Sequence, residues 1–375
     1  MRKMIGKKLI AVCLAVLLLA PAAAPAAAAS PEISAASAIL MDAQTGQVYY
    51  EKKSNARREP ASLTKIMTSI IALEYGHPEE VVTVGKKAAS ICVGQELMIR
   101  KGDRMTLEDL IKAALIYSAN DSTVAIAEHI AGSEENFVRL MNAKALAIGA
   151  LDTHYGNTNG YHHPNHYTTA YDLALITRYA LGNEQFARIV KTPRTTIHFE
   201  EGRAPREISN TNMLVRENAY EGILGVKTGS TIRAGRCLIA AAQRGDRTLI
   251  AVVLHCRDRY KDAVALLDYG FGHVSPAELC VKGESFGSIP VEGGVTETVT
   301  AVSERGITVD LADDDRKKVT KTVNTENTLQ APVKAGQKVG TAIYSLRNRE
   351  LARVNLVAAE DVMKPGVIYR LRQLF

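Results

Sequence analysis

The sequence predicts an α/β domain of the α+β kind, followed by a small all-β module. Three observations predict it. Apolar residues recur at helical spacing through residues 60–181, strand-like runs take over from Lys191, and near Ser275-Pro276 the composition shifts to short β-prone stretches separated by Gly, Asp and Asn. The chain of 375 residues is long enough for one large and one smaller buried core. Its 46% apolar and 23% charged residues are ordinary for a folded chain, so disorder is not the default.

The first 29 residues stand apart. A basic start (Arg2, Lys3, Lys7, Lys8), an apolar run over 9–19 and an Ala/Pro-rich stretch ending in Ala-x-Ala at Ala29 form the pattern of a cleaved export signal. The apolar run is shorter than the ~20 residues a spanning helix needs. Cys13 lies inside that run behind Val12, which argues against lipidation. Setting the segment aside removes four basic and no acidic residues, so the formal net charge drops from +6 to +2. No cluster of Lys and Arg with interleaved aromatics remains, which excludes nucleic acid as a partner.

Residues 38–42 and 47–51, joined by Ala43-Gln-Thr-Gly46, read as a hairpin. Pro60 suits the first turn of a short helix, in which Leu63, Ile66, Met67, Ile70 and Ile71 keep helical spacing up to Gly76. A second helix starts at Thr106, with Asp109 as in a capping box, and runs to Tyr117. Ser118-Ala-Asn120 interrupts it before a helical run to Ile130, and further helices are expected over 133–148 and 169–181. The strand-like runs 223–227, 236–244 and 247–256 follow, the last two joined by a Gly245-Asp246 hairpin turn. With Arg244 facing Arg247, Cys237 falls opposite Leu254 and Cys256 lies diagonally on the same face, which leaves a disulfide between them open. After a helix over 262–271, the expected boundaries are 30–276 for the first domain, 277–364 for the β module and 365–375 for a tail. In that tail Val367, Ile368, Leu371 and Phe375 with Arg370 and Arg372 fit a short amphipathic helix, either weakly membrane-associated or docked on the β module.

Ser62-Leu-Thr-Lys65 sits in the first turns of the apolar helix. Serine is a weak nucleophile until a base takes its proton, and a lysine three residues on shares its helical face. That lysine must be neutral, which burial and a nearby cation achieve by lowering its pKa. Roughly one such pattern is expected by chance in a chain of this size, so alone it carries little. Ser118-Ala-Asn120 adds a hydroxyl and an amide at a break between helices. Lys227-Thr-Gly229 belongs on or beside an edge strand, where an extended ligand pairs, a lysine and a hydroxyl hold a carboxylate, and a glycine lets another backbone approach. In this order, on helix, loop and strand, the triplets form the Ser-x-x-Lys, Ser-x-Asn, Lys-Thr-Gly set of penicillin-recognising serine enzymes.

On these residues the chain resembles the low-molecular-mass penicillin-binding proteins that act as D-alanyl-D-alanine carboxypeptidases. The likeness extends to Pro60-Ala-Ser-Leu-Thr-Lys-Ile-Met-Thr68, Asn157-Thr-Asn-Gly-Tyr161, His166-Tyr-Thr-Thr-Ala-Tyr-Asp-Leu173 and Gly225-Val-Lys-Thr-Gly-Ser-Thr231, and covers nearly all of residues 35–362. It implies a penicillin-binding or serine β-lactamase-like fold, with a central antiparallel sheet, a helical subdomain and an all-β C-terminal domain. It implies Ser62 as acylated nucleophile, Lys65 as its base and Ser118 as proton relay to the leaving D-alanine. Asn120 would hold the peptide, Lys227 and Thr228 the terminal carboxylate, Gly229 and Ser230 the substrate strand, and the backbone N–H groups of Ser62 and Ser230 the oxyanion. The implied activity is removal of the terminal D-alanine from peptidoglycan stem pentapeptides, with no cofactor or metal. β-Lactams would be covalent inhibitors, and the location the cell wall or the outer face of the cytoplasmic membrane.

Other readings are weaker. Ala119 stands where serine β-lactamases carry Asp, no glutamate has the context of their deacylating residue, and only about 32 residues separate the signal from Ser62, few for a large transpeptidase. A non-catalytic peptidoglycan-binding protein would be expected to have lost one of the five polar groups retained here. His162-His163-Pro-Asn-His166 with His154 is the most metal-like cluster, but it lacks His-Glu-x-x-His or Cys-pair spacing and reads as a polar loop beside the cleft. Residues 313–318, with adjoining charges of both signs, read as a solvated hairpin tip.

Overall fold

The centre of the molecule is a five-stranded antiparallel sheet of β1 (Ser37–Asp42), β2 (Val48–Lys52), β3 (Ile223–Thr231), β4 (Gly235–Arg244) and β5 (Arg247–Cys256), in the order β2-β1-β5-β4-β3. This computed structural model describes residues 30–200 and 202–366; the expected export signal and the amphipathic end of the tail lie outside them. The amino-terminal hairpin pairs with β5, Ile39 opposite Val252, and so closes the sheet across nearly the whole first domain. β4 and β5 are buried on both faces. Ile239, Ala241 and Val252 enter one apolar cluster, while Leu238, Ala240 and Val253 enter another, as the two-residue side-chain period of a strand requires. That is why both strands read as continuous apolar runs.

One face carries the helices. α1 (Lys65–Tyr75) lies at the heart of this layer, with Ile66, Met67 and Ile71 fully buried. α2 (Leu107–Lys112) begins at Thr106, whose Oγ1 accepts from Asp109 N at 3.1 Å as the capping pattern predicts. It continues as a π-helical turn over Ala113–Tyr117 and stops at Ser118, which adopts a left-handed conformation (φ 72°). α3 (Asn120–Ala131) restarts at once, followed by α4 (Glu134–Ile148) and α5 (Ala170–Leu181), capped by Ser133 and Thr169. α6 (Arg259–His273) covers the opposite face through Ala263, Leu266 and Leu267. Short helices at Lys86–Ala89, Glu184–Val190 and Met213–Arg216 have no counterpart in the sequence reading, because at 4, 7 and 4 residues they are too short for a periodic pattern to register.

The β4–β5 hairpin keeps its expected register, Arg244 opposite Arg247, down to Leu238 opposite Val253. A bulge then intervenes, with His255 at φ 55°, so that Cys256 opposes Arg236. One extra residue moves a side chain to the other face of a sheet. Cys256 therefore packs in the α6 cluster while Cys237 faces the helical layer, which corrects the same-face placement, and both thiols are free.

Strand Val274–Cys280 follows α6 directly and pairs with Ile307–Ala312, and a six-stranded sheet from Ser285–Glu292 to Arg349–Ala358 completes the β module. The module is tied to the first domain by Arg247 with Asp310 (2.6 Å) and Arg349 with Glu51 (3.2 Å). Residues Asp313–Lys318 form a 3-10 turn between strands of two different sheets and not a hairpin tip; the turn is largely solvated as expected, except that Asp315 is buried beneath Arg347 at 2.5 Å. Among the described residues no helix is long and apolar enough to cross a membrane.

Candidate active site

Ser62 sits in a 3-10 turn, Ala61–Thr64, that leads into α1. The turn starts with Ala61 at φ 50°, a conformation that is uncommon for a residue with a Cβ and persists only when its surroundings impose it. Two glycines do so. A Cβ on Gly229 of β3 would lie 2.9 Å from Pro60 O, and one on Gly160 would lie 1.8 Å from Ala61 O. The backbone that Gly229 admits is thus the protein's own turn at the serine. Among the described residues β3 has β4 as its only strand neighbour, so Lys227-Thr-Gly229 does lie on an edge.

Lys65 is fully buried, and its Nζ donates to Ser62 Oγ (2.9 Å), Asn120 Oδ1 (2.7 Å) and the Asn159 carbonyl (3.0 Å). Asn120 is oriented by its Nδ2 donating to Val93 O at 2.6 Å and its N–H to Gln95 O at 2.8 Å, so its Oδ1 is the atom left for the amine. Of the three partners only the serine hydroxyl also donates. When Lys65 is neutral, its two hydrogens therefore serve Asn120 and Asn159, and its lone pair faces the Ser62 proton. Burial, and next the charge of Lys227, hold the Lys65 pKa well below that of an ordinary lysine, with Asp121 pulling the other way. Asp121 is itself buried and accepts from the N–H groups of Leu97 (3.0 Å) and Ile99 (3.1 Å), pinning the segment that carries Gln95.

Lys227 is equally buried, but its Nζ has no hydrogen-bond partner among the described residues. Burial and the nearby Arg259 lower its pKa to about 7. Beside it Thr228 Oγ1 donates to Thr211 Oγ1 at 2.7 Å, and Arg259 donates to the Gly229 carbonyl at 3.1 Å. Ser62, Ser118, Asn120, Thr228, Ser230 and Arg259 line one cleft of about 680 Å³. The three triplets therefore meet at a single opening.

Asn159, Thr211 and Arg259 join the site without having been assigned a role from sequence. Asn159 lies in a stretch already notable for its resemblance; Thr211 and Arg259 arrive from a loop and the start of α6, with no local signal. The histidines are otherwise engaged. His166 is buried with its Nε2 2.9 Å from Thr64 Oγ1, its pKa pushed down to about 3 by burial and then by His163 and His154, and His154 Nδ1 is 2.6 Å from Asn165 O. Among the described residues no three His, Cys, Asp or Glu side chains are grouped to hold a metal ion.

The family model described as D-alanyl-D-alanine carboxypeptidase matches residues 24–258, and that described as Penicillin-binding protein 5, C-terminal domain, matches residues 275–364. D-alanyl-D-alanine carboxypeptidase DacF of Bacillus subtilis is 32% identical over 348 residues, 90% of this chain and 88% of the relative. DacD of Escherichia coli is 32% identical over 361 residues, covering 92% and 91%. Among solved structures, DacD from Francisella tularensis superposes with a TM-score of 0.72 at 26% identity, over 90% of this chain and 95% of that one. A mutant of the Streptomyces K15 DD-transpeptidase matches at 30% identity with a TM-score of 0.60, over 64% of this chain and 99% of that one. Sequence, fold and the convergence of the three triplets agree: the chain belongs to the D-alanyl-D-alanine carboxypeptidase family of serine peptidases and shares the penicillin-binding-protein fold with its all-β C-terminal domain.

Proposed function

We propose that Ser62 removes the terminal D-alanine from peptidoglycan stem pentapeptides, and that β-lactams acylate the same oxygen. The supporting observation is the Lys65 amine, fully buried, 2.9 Å from Ser62 Oγ, with its other partners able only to accept. Neutral Lys65 takes the Ser62 proton as Oγ bonds to the carbonyl carbon of the penultimate D-alanine. The N–H groups of Ser62 and Ser230 receive the developing oxyanion. The C–N bond then breaks, and the proton reaches the departing amine through Ser118. Asn120 and the edge of β3 at Gly229 and Ser230 hold the peptide, while Lys227 and Thr228 hold its carboxylate. Water next attacks the ester, its proton passing to Lys65, and Ser62 is restored.

Residues 30–276 would form the catalytic domain and 277–364 a module that positions it, with residues 1–29 directing export to the cell wall or the outer face of the cytoplasmic membrane. The direct test is incubation with a fluorescent penicillin followed by intact mass. A single covalent adduct that Ser62→Ala abolishes is expected, together with D-alanine release from a pentapeptide; an adduct that persists in the variant overturns the assignment.

A further inference from the structure

The cleft continues past Ser230. β3 ends at Thr231, and the chain turns through Ile232, Arg233 and Ala234 into β4, the turn being tied by Ala234 N donating to Thr231 Oγ1 at 3.0 Å. Ile232 is fully exposed there and Arg233 has 64% of its side chain exposed, yet both line the cleft that holds Ser62. Tyr161, half exposed, and His162 line it as well. Arg233 Nη1 donates to His162 Nε2 at 3.0 Å, and His162 Nδ1 lies 3.1 Å from Glu59 Oε1. The imidazole thus sits between the guanidinium, which donates to it, and the carboxylate. The arrangement holds a guanidinium and a carboxylate 3.8 Å apart at the cleft mouth, flanked by two apolar side chains. None of the roles assigned above uses them.

The edge strand gives this corner its place along a substrate. A peptide extended antiparallel to β3, with its carboxylate at Lys227 and Thr228 and its scissile carbonyl at Ser62, advances about 3.3 Å per residue. The residue before D-Ala-D-Ala is thereby carried beyond Ser230, toward Thr231 and Arg233. Building on the Ser62 carboxypeptidase reading, we propose that Arg233 and Glu59 select at that position a side chain ending in both an ammonium and a carboxylate, as diaminopimelate does. The carboxylate pairs with Arg233, the ammonium with Glu59, and the aliphatic stem lies against Tyr161 and Ile232. A lysine side chain supplies only the ammonium and brings the guanidinium no carboxylate beyond that of Glu59.

The test is kcat/KM for D-alanine release from two pentapeptides that differ only in carrying diaminopimelate or lysine at this position, for wild type, Arg233→Gln and Arg233→Lys. Wild type should favour the diaminopimelyl peptide about tenfold, the scale of one charge-assisted hydrogen bond at a partly exposed site. Arg233→Gln should bring the ratio close to one, and Arg233→Lys should restore part of it. Reading a ratio cancels any loss of folded enzyme common to both peptides. Equal wild-type rates, or a preference that survives Arg233→Gln, overturn the proposal while continued D-alanine release leaves the carboxypeptidase reading standing. No release from either peptide overturns both.

Discussion

Two lysines are buried within the same site, and they are provided for in opposite ways. Lys65 has three acceptors around its nitrogen, whereas Lys227 has none. Burial alone would push both toward the neutral amine, and in both it is the largest influence. The difference lies in what the protein leaves undone. Around Lys65 every direction is occupied by groups that fix its lone pair on Ser62, so its environment suits a base. Around Lys227 the described residues offer no hydrogen-bonding anion, so the missing partner is the one a substrate carboxylate would supply. An unpaired buried ammonium is unfavourable, and a ligand that neutralises it gains accordingly.

Breaking the Lys65 side of this contrast should have the largest effect. Lys65→Arg keeps a cation but cannot yield a neutral amine, and penicillin acylation measured by stopped-flow should slow by about 10²- to 10⁴-fold, the usual contribution of general base catalysis. A loss smaller than tenfold would place the base elsewhere. Lys227→Gln should act on binding first, lowering kcat/KM for the pentapeptide by roughly 10- to 100-fold, as expected for loss of a buried charge-assisted pair. It should also move the acid limb of the acylation profile to higher pH, because the charge of Lys227 is the second cause of the low pKa of Lys65.

The pH dependence sharpens the comparison further. Lys227 titrates at about 7 when folded against an ordinary 10.5. Its ammonium is present below about 7, so pentapeptide KM should rise as pH climbs above that value. Between pH 7 and 10.5 the unfolded chain binds more protons at this group than the native one, so its contribution makes stability rise with pH over that window. Urea midpoints for wild type and Lys227→Met at pH 7 and pH 9 should show the increase shrinking in the variant; an identical increase in both would refute the shift. The smallest effect is expected at Asp121→Asn, which weakens the carboxylate's hold on Leu97 and Ile99 and should lower stability by about 1–3 kcal/mol by denaturant titration.

The residues legible in the sequence are those whose chemistry is local. Ser62 and Lys65 share a helical face by spacing alone, the Thr106 cap is spelled by its neighbours, and Gly245-Asp246 fixes a hairpin register. Thr211 and Arg259 were not legible, because nothing near either residue records that a loop and the end of β5 bring them beside Thr228 and Gly229. Cys256 was misplaced for a related reason. Alternation assumes an unbroken strand, and the bulge at His255 carries no turn-forming glycine or asparagine to announce it. The burial of Asp315 within the run 313–318 was not legible because composition counts charges without locating Arg347, which lies thirty-two positions along the chain and pairs with it.

The turn at Ala61 bears on how an inhibitor has to be shaped. Wedged between the backbones at Gly160 and Gly229, the turn that carries Ser62 stands on a fulcrum with little room to swing toward an incoming carbonyl. Adaptation then falls to the small molecule, and a scaffold already rigid in the attacking geometry gains more than one that merely adds contacts. By the same logic, a single methyl group at either glycine would tilt that fulcrum, blunting capture of the drug without altering any atom that reacts.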